Sequence, residues 1–148
     1  MRSILLLLSV VFMILAGCGN NASESENESN GGEKMKEKIA FETVEMKSAP
    51  KDIQATVQQK WLEKSTFTIP SDEDLYIIIT RGEMPTGGYS VNIKSIEKVD
   101  EELVVSYYYT DPKKDDMVTQ AITKPIVIAK VDMTNARVNF KEIQKSAP

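Results

Sequence analysis

Apolar positions along this chain fall into short runs with two different spacings. Leu75-Tyr76-Ile77-Ile78-Ile79-Thr80 is the most apolar stretch outside the N-terminal segment. Its apolar side chains occupy both phases of a two-residue repeat, which reads as a central strand buried on both faces. Beyond Gly82 the spacing becomes an alternation, with Tyr89, Val91 and Ile93 on one side and Ser90, Asn92 and Lys94 on the other. That pattern predicts a strand over residues 89–97 with one buried face. Leu103, Val105, Tyr107 and Tyr109 repeat it over residues 103–110. Further strands are predicted at 118–122, 126–132 and 138–143, with Lys124-Pro125 breaking the first two apart. Residues 41–46 form a weak first strand, and 66–70 an edge strand ended by Pro70. One segment has the other period: Ile53, Val57 and Trp61 recur at i, i+4, with Leu62 beside them. They predict an amphipathic helix over residues 50–64, with Pro50 in its first turn and Asp52 near the positive dipole end. Trp61 on that stripe is read as core. Short connections between successive strands predict an antiparallel β-meander sheet, and the helix packed on it makes the domain α+β.

The connection between the apolar strand and the alternating one has its own chemistry. Pro85 presets φ for the first inner position of a turn, and Gly87 or Gly88 can take a positive φ that a β-branched residue could not. Met84 and Tyr89 flank it, and Tyr107, Tyr108 and Tyr109 lie on a neighbouring strand. Apolar and aromatic side chains so placed suit a protein-binding patch. Alternation buries Tyr107 and Tyr109, leaving Tyr108 exposed or facing the helix.

The N-terminal segment predicts a location. Met1-Arg2 is a short positive start, and residues 4–15 are almost continuously apolar, shorter than the roughly 20 residues a spanning helix needs. Leu15-Ala16-Gly17-Cys18 then resembles a bacterial lipobox. Residues 1–17 are thus expected to be a lipoprotein signal peptide. Cys18 is the expected lipidation site, its sulfur taking diacylglycerol and its freed amino group a further acyl chain such as palmitate. The plainer reading is an uncleaved anchor helix with an incidental cysteine. Residues 19–38 are rich in Ser, Asn, Glu and Gly and poor in apolar side chains, so residues 18–38 are read as a lipidated cysteine and flexible linker. Residues 39–148 then form one domain, anchored to the cell membrane on its extracytoplasmic face.

Composition narrows the function. Without Arg2 the 18 basic residues become 17, against 22 acidic ones, which argues against nucleic acid as a partner. There is no histidine, and the single cysteine is committed to lipid. Ser-His-Asp and Cys-His nucleophiles and the usual zinc sites are therefore excluded. The Gly82-to-Gly88 loop joins two strands rather than opening a helix, so it is not a phosphate cradle. Acidic clusters at Asp72-Glu73-Asp74, Asp100-Glu101-Glu102 and Asp115-Asp116 lack the spacing of a calcium loop and read as solvated turns. Neither a metal nor a cofactor is expected. A Ser-Lys or two-carboxylate hydrolase is compatible with the composition, but nothing in the spacing argues for one.

Two stretches carry a family resemblance. Gly82-Glu83-Met84-Pro85-Thr86-Gly87-Gly88-Tyr89-Ser90-Val91-Asn92-Ile93 is the first, and Asp111-Pro112 with Val118-Thr119-Gln120-Ala121-Ile122-Thr123-Lys124-Pro125-Ile126-Val127-Ile128 the second. With them, residues 76–132 resemble the PrcB C-terminal domain family, named for a protease-complex subunit. The family pattern often carries an aromatic residue where this chain has Lys124 or Ile126. The resemblance implies a non-enzymatic extracytoplasmic module that binds or stabilises a partner protease. Met84, Pro85, Thr86, Gly87, Gly88 and Tyr89 are the candidate partner-binding residues. Pro85-Thr86-Gly87-Gly88-Tyr89 is also similar to the Pro-Thr-Thr-Gly-Tyr loop of chagasin-type cysteine-protease inhibitors, which implies inhibition instead. A third reading is a small-ligand or envelope-glycan binding lipoprotein using Tyr107, Tyr108 and Tyr109.

Overall fold

In the computed structural model, which describes residues 36–145, Asp74–Arg81 forms a strand whose core six side chains are all buried. Around this strand, β4, stand β1 (Lys36–Lys38), β2 (Glu42–Thr43), α1 (Lys51–Lys60), β3 (Lys64–Ser71), β5 (Ser90–Val99), β6 (Glu102–Thr110), β7 (Ile126–Asp132) and β8 (Arg137–Glu142). The domain is α+β, and its pairing is mostly antiparallel. It differs from a single meander in that the strands divide into two sheets. The central sheet has the order β2-β7-β4-β3 and the outer sheet β1-β5-β6-β8. Alternation marks which face of a strand is buried, not which sheet the strand joins, so the division left no trace in the pattern.

Two cores explain why β4 is apolar on both phases. Leu75, Ile77 and Ile79 point into one that also holds Ala129 and Val131 of β7, Val91 and Ile96 of β5, and Leu103, Val105 and Tyr107 of β6. This core lies between the sheets. Tyr76 and Ile78 point the other way, onto Ala49 and onto Ile53 and Val57 of α1, with Ile128 beside them. Helix, central sheet and outer sheet are thus three layers. Ile78 is completely buried, and truncating such a side chain to Ala costs about 2–5 kcal/mol.

Local corrections to the predicted elements have identifiable causes. The helix stops at Lys60 rather than 64, because the chain behind it is claimed by the central sheet. Thr80 Oγ1 donates to the Glu63 carbonyl at 2.7 Å, and Glu83 N–H donates to Leu62 O at 3.3 Å. Trp61 is the C-cap residue of α1 and only half-buried, packed at the margin of the helix-side core. Lys36–Lys38, placed in the linker by composition, pair with Glu97, Lys98 and Val99 of β5. The ladder between β5 and β6 shifts register between Ile93 and Ser95. That bulge keeps Val91, Ile93 and Ile96 on the core side although strict alternation would turn Ile96 outward. β8 pairs with β6 in parallel. Pro70 lies within β3 rather than ending it, tolerated because β3 is an edge strand. Tyr108, half-buried and paired with Asn92, lies in the outer sheet and not under the helix.

Candidate functional site

Both long connections leave one sheet and join the other. Residues 82–89 carry the chain from β4 to β5, and residues 111–125 from β6 to β7. They meet at the same end of the domain and are bonded to each other. Met84 N–H donates to Thr123 O at 2.8 Å, and Thr123 N–H returns to Met84 O at 2.9 Å. Gly87 N–H donates to Thr119 O at 2.8 Å, and Thr123 Oγ1 donates to Thr86 O at 2.7 Å. Residues 118–122, predicted as a strand, are irregular. Among the described residues they have no neighbouring strand to complete a ladder, and they lie across the glycine loop, next to the bridge between Met84 and Thr123.

The glycines make that closeness possible. Gly88 has φ +84°, and a Cβ on it would stand 2.7 Å from Val118 Cγ1 and 2.8 Å from Pro112 Cβ. Gly82 has φ +86° and presses on the backbone of Leu62, Glu63 and Lys64, with a Cβ reaching 3.2 Å from each. Gly87 is not at positive φ, and its nearest contact would be Thr119 at 3.4 Å. The two alternatives the sequence left open for the left-handed position therefore resolve to Gly88.

An aromatic and cationic column holds the base of this loop pair. The Arg81 guanidinium lies 4.8 Å from the Tyr89 ring centre and 5.1 Å from that of Tyr109, while Lys64 Nζ lies 4.6 Å from Tyr109. Each such contact contributes about 0.5–2 kcal/mol depending on its exposure. Arg81 also donates to Thr110 O at 2.9 Å and pairs with Asp111, tying β4 to the start of the second connection. Lys64 pairs with Glu142 of β8 at 2.9 Å. Burial first, then the neighbouring Tyr107 and Glu142, raise the Tyr109 hydroxyl pKa well above its ordinary value, with Arg81 opposing. Tyr109 is neutral over the whole physiological range. Lys124 reaches across to the Trp61 ring at 5.6 Å and joins the helix end to the same region.

Of the candidate residues, Met84, Thr86, Gly87 and Tyr89 are half-buried, and Pro85 and Gly88 exposed. Thr86 Oγ1 donates to Gly87 O at 3.1 Å, a local turn bond. All six belong to one loop, whereas Tyr107 and Tyr109 face the inter-sheet core, ring centres 5.6 Å apart and edge to face. Cys18 lies outside the described residues. Sequence reasoning missed Arg81 and Lys64 as organisers of the site; a lone Arg ending an otherwise apolar strand was the available signal. It also missed Met117, the most exposed large apolar side chain among the described residues, and Leu62 and Ile122, exposed at the same end.

The described residues contain open concavities but no group of three His, Cys, Asp or Glu side chains that could hold a metal ion. One groove of about 450 Å³ runs between residues 43–47 and the start of β7, lined mostly by Val44, Met46, Ile126 and Ile128. Another, of about 540 Å³, has a mixed lining in which Met84 and Ile143 stand beside Lys64, Arg81, Tyr109, Asp111 and Glu142, the charged groups already paired among themselves. No described helix is long and apolar enough to cross a membrane.

Residues 75–132 match the family model described as PrcB C-terminal. This stretch of the chain is similar to that family. It runs from β4 to β7 and takes in both long connections, while α1, β3 and β8 lie outside the match. The PrcB C-terminal family is an accessory, protease-complex-related one. The two sequence blocks that carry the resemblance, far apart along the chain, are thus the two sides of one bonded loop pair. Neither the curated proteins nor the solved structures yield a match to this chain.

Proposed function

We propose that this chain is a membrane-anchored extracytoplasmic lipoprotein whose PrcB C-terminal domain binds a partner protease or protease complex and catalyses nothing itself. The observation that carries the reading is the convergence of the two family blocks on one hydrogen-bonded loop pair, where Leu62, Met117 and Ile122 expose apolar surface. A merely structural hairpin needs no second connection laid across it. The loop of Met84, Pro85, Thr86, Gly87, Gly88 and Tyr89 belongs to the partner surface in this reading, either as contact or as support. Lipid on Cys18 supplies the membrane attachment, each buried CH₂ contributing about 0.8 kcal/mol.

Two experiments test the two halves. A fatty-acid probe labels the wild type and not Cys18→Ser, which accumulates as an unprocessed precursor; equal labelling of both would remove the anchor. Full-length protein crosslinked on intact cells and purified in detergent brings a peptidase or peptidase-complex subunit with it. Recovery of glycan or of no partner at all would overturn the protease reading. The groove beside Val44 and Ile126 keeps a second reading, a small apolar ligand, open to test, since its volume is in the range of ligand sites. Protection of the Met46 and Ile128 amides by lipid or envelope extract, lost on Val44→Glu, is its expected sign.

A further inference from the structure

Between the charged run Lys113-Lys114-Asp115-Asp116 and Lys124, the second connection reads Met117-Val118-Thr119-Gln120-Ala121-Ile122-Thr123. It carries no charge, in a protein in which 27% of residues are charged. It is nonetheless exposed: Met117 and Thr119 to Ile122 all face solvent, Met117 fully and Ile122 at 63%. An uncharged apolar centre with a charged rim is the anatomy of a protein interface, not of a solvated loop.

Its backbone is held as well as exposed. Thr119 O and both backbone groups of Thr123 are bonded to the glycine loop, Val118 rests against Gly88, and the preceding turn is closed by Asp116 N–H to Lys113 O at 3.0 Å and Lys113 N–H to Asp116 Oδ2 at 2.8 Å. A protruding segment fixed at both ends loses little conformational entropy when it docks.

We infer that residues 117–122 are the inserting element of the domain, docking Met117 and Ile122 into two apolar subsites of a cleft on a partner protein, with the glycine loop as their buttress. This rests on the protein-partner reading above and assigns the direct contact within it. Gly87 and Gly88 then act as positioning residues: they let the segment lie close without touching the partner themselves. The partner surface is an apolar cleft because the segment that meets it is exposed, uncharged and held at both ends.

The test uses full-length protein in its own membrane with a photo-crosslinking amino acid at Gln120, and in separate samples at Pro85 and at Tyr108. At Gln120 an adduct forms whose partner peptide maps to an apolar cleft of one protein. Met117→Asp with Ile122→Asp lowers that adduct at least tenfold at unchanged melting temperature, since both side chains are exposed. A Gln120 adduct indifferent to those substitutions, or adducts only at Pro85 or Tyr108, would overturn the assignment and leave the partner reading standing. Absence of protein adducts at all three positions would overturn both.

Discussion

At one end of the domain β3 turns into β4 through Asp72 and Glu73, and β5 into β6 through Asp100 and Glu101. At the other end the chain uses residues 82–89 and 111–125 for what are also connections between consecutive strands. The short turns stay within a sheet, where paired strands are about 5 Å apart and two residues suffice. Both long ones cross between sheets about 10 Å apart. A third crossing, residues 133–136, lies at the short-turn end and manages with four residues. Crossing alone therefore does not require fifteen residues at 111–125. The excess length is what lies over the glycine loop, and that excess carries Met117 and Ile122. The short-turn end is acidic, each turn holding an Asp in the left-handed region, Asp72 at φ 46° and Asp100 at φ 57°. The long-loop end puts glycines there.

Substitutions that exchange the properties of the two ends sharpen this contrast. The largest effect is expected from Gly88→Val, which combines a positive φ with a Cβ inside contact distance of Val118 and Pro112. Left-handed strain of about 1–2 kcal/mol and overpacking of about 1–3 kcal/mol add to a loss of about 2–5 kcal/mol in a denaturant melt. Next comes Trp61→Ala, expected at about 1–3 kcal/mol because the ring is half-buried at the margin of its core. A loss at the upper end of the fully buried range would show the helix end to be more tightly bound to the long-loop end than its accessibility indicates.

A smaller effect depends on pH. Below about pH 10 the Tyr109 hydroxyl is protonated in both the folded and the unfolded chain. Above it the unfolded chain ionises, while burial keeps the folded hydroxyl protonated. The contribution is thus fully present below the unfolded pKa and declines as pH rises above it. Tyr109→Phe removes this term, so its melting temperature falls less than that of wild type between pH 9 and pH 11. Parallel decline of the two would place the hydroxyl in water.

Asp72→Gly relieves a left-handed non-glycine residue at the short-turn end. There it changes stability by less than about 1 kcal/mol, in either direction, since the glycine also gains freedom when unfolded. The smallest change is expected for Gly87→Ala, within about 0.5 kcal/mol, because that glycine is not at positive φ and its new methyl would rest on Thr119. Equal losses for Gly87→Ala and Gly88→Ala would break the distinction between the two glycines.

The legible parts of the fold were those governed by near neighbours. Residues 75–80 announced a doubly buried strand because Ile77 and Ile78 face different cores, and Ile53 with Val57 announced the helix. The parallel pairing of β6 with β8 brings Leu103 beside Val138, a partnership that no local spacing records. Residues 118–122 looked like a strand because Val118, Gln120 and Ile122 alternate, but a strand exists only where a neighbour supplies a ladder. In the site, Pro85 and the glycine pair were visible as turn chemistry. The residues laid over them were visible only as a second motif block, and the distance between blocks concealed that they touch.

β1 fixes the end of the domain at which the described chain begins. Lys36 pairs with Val99 at the short-turn end of β5, so the first described residue lies at the end opposite the long loops. β4 has eight residues and spans about 25 Å. An attachment made at Lys36 and a contact made at Met117 and Ile122 therefore fall at opposite ends of the domain, about one strand length apart.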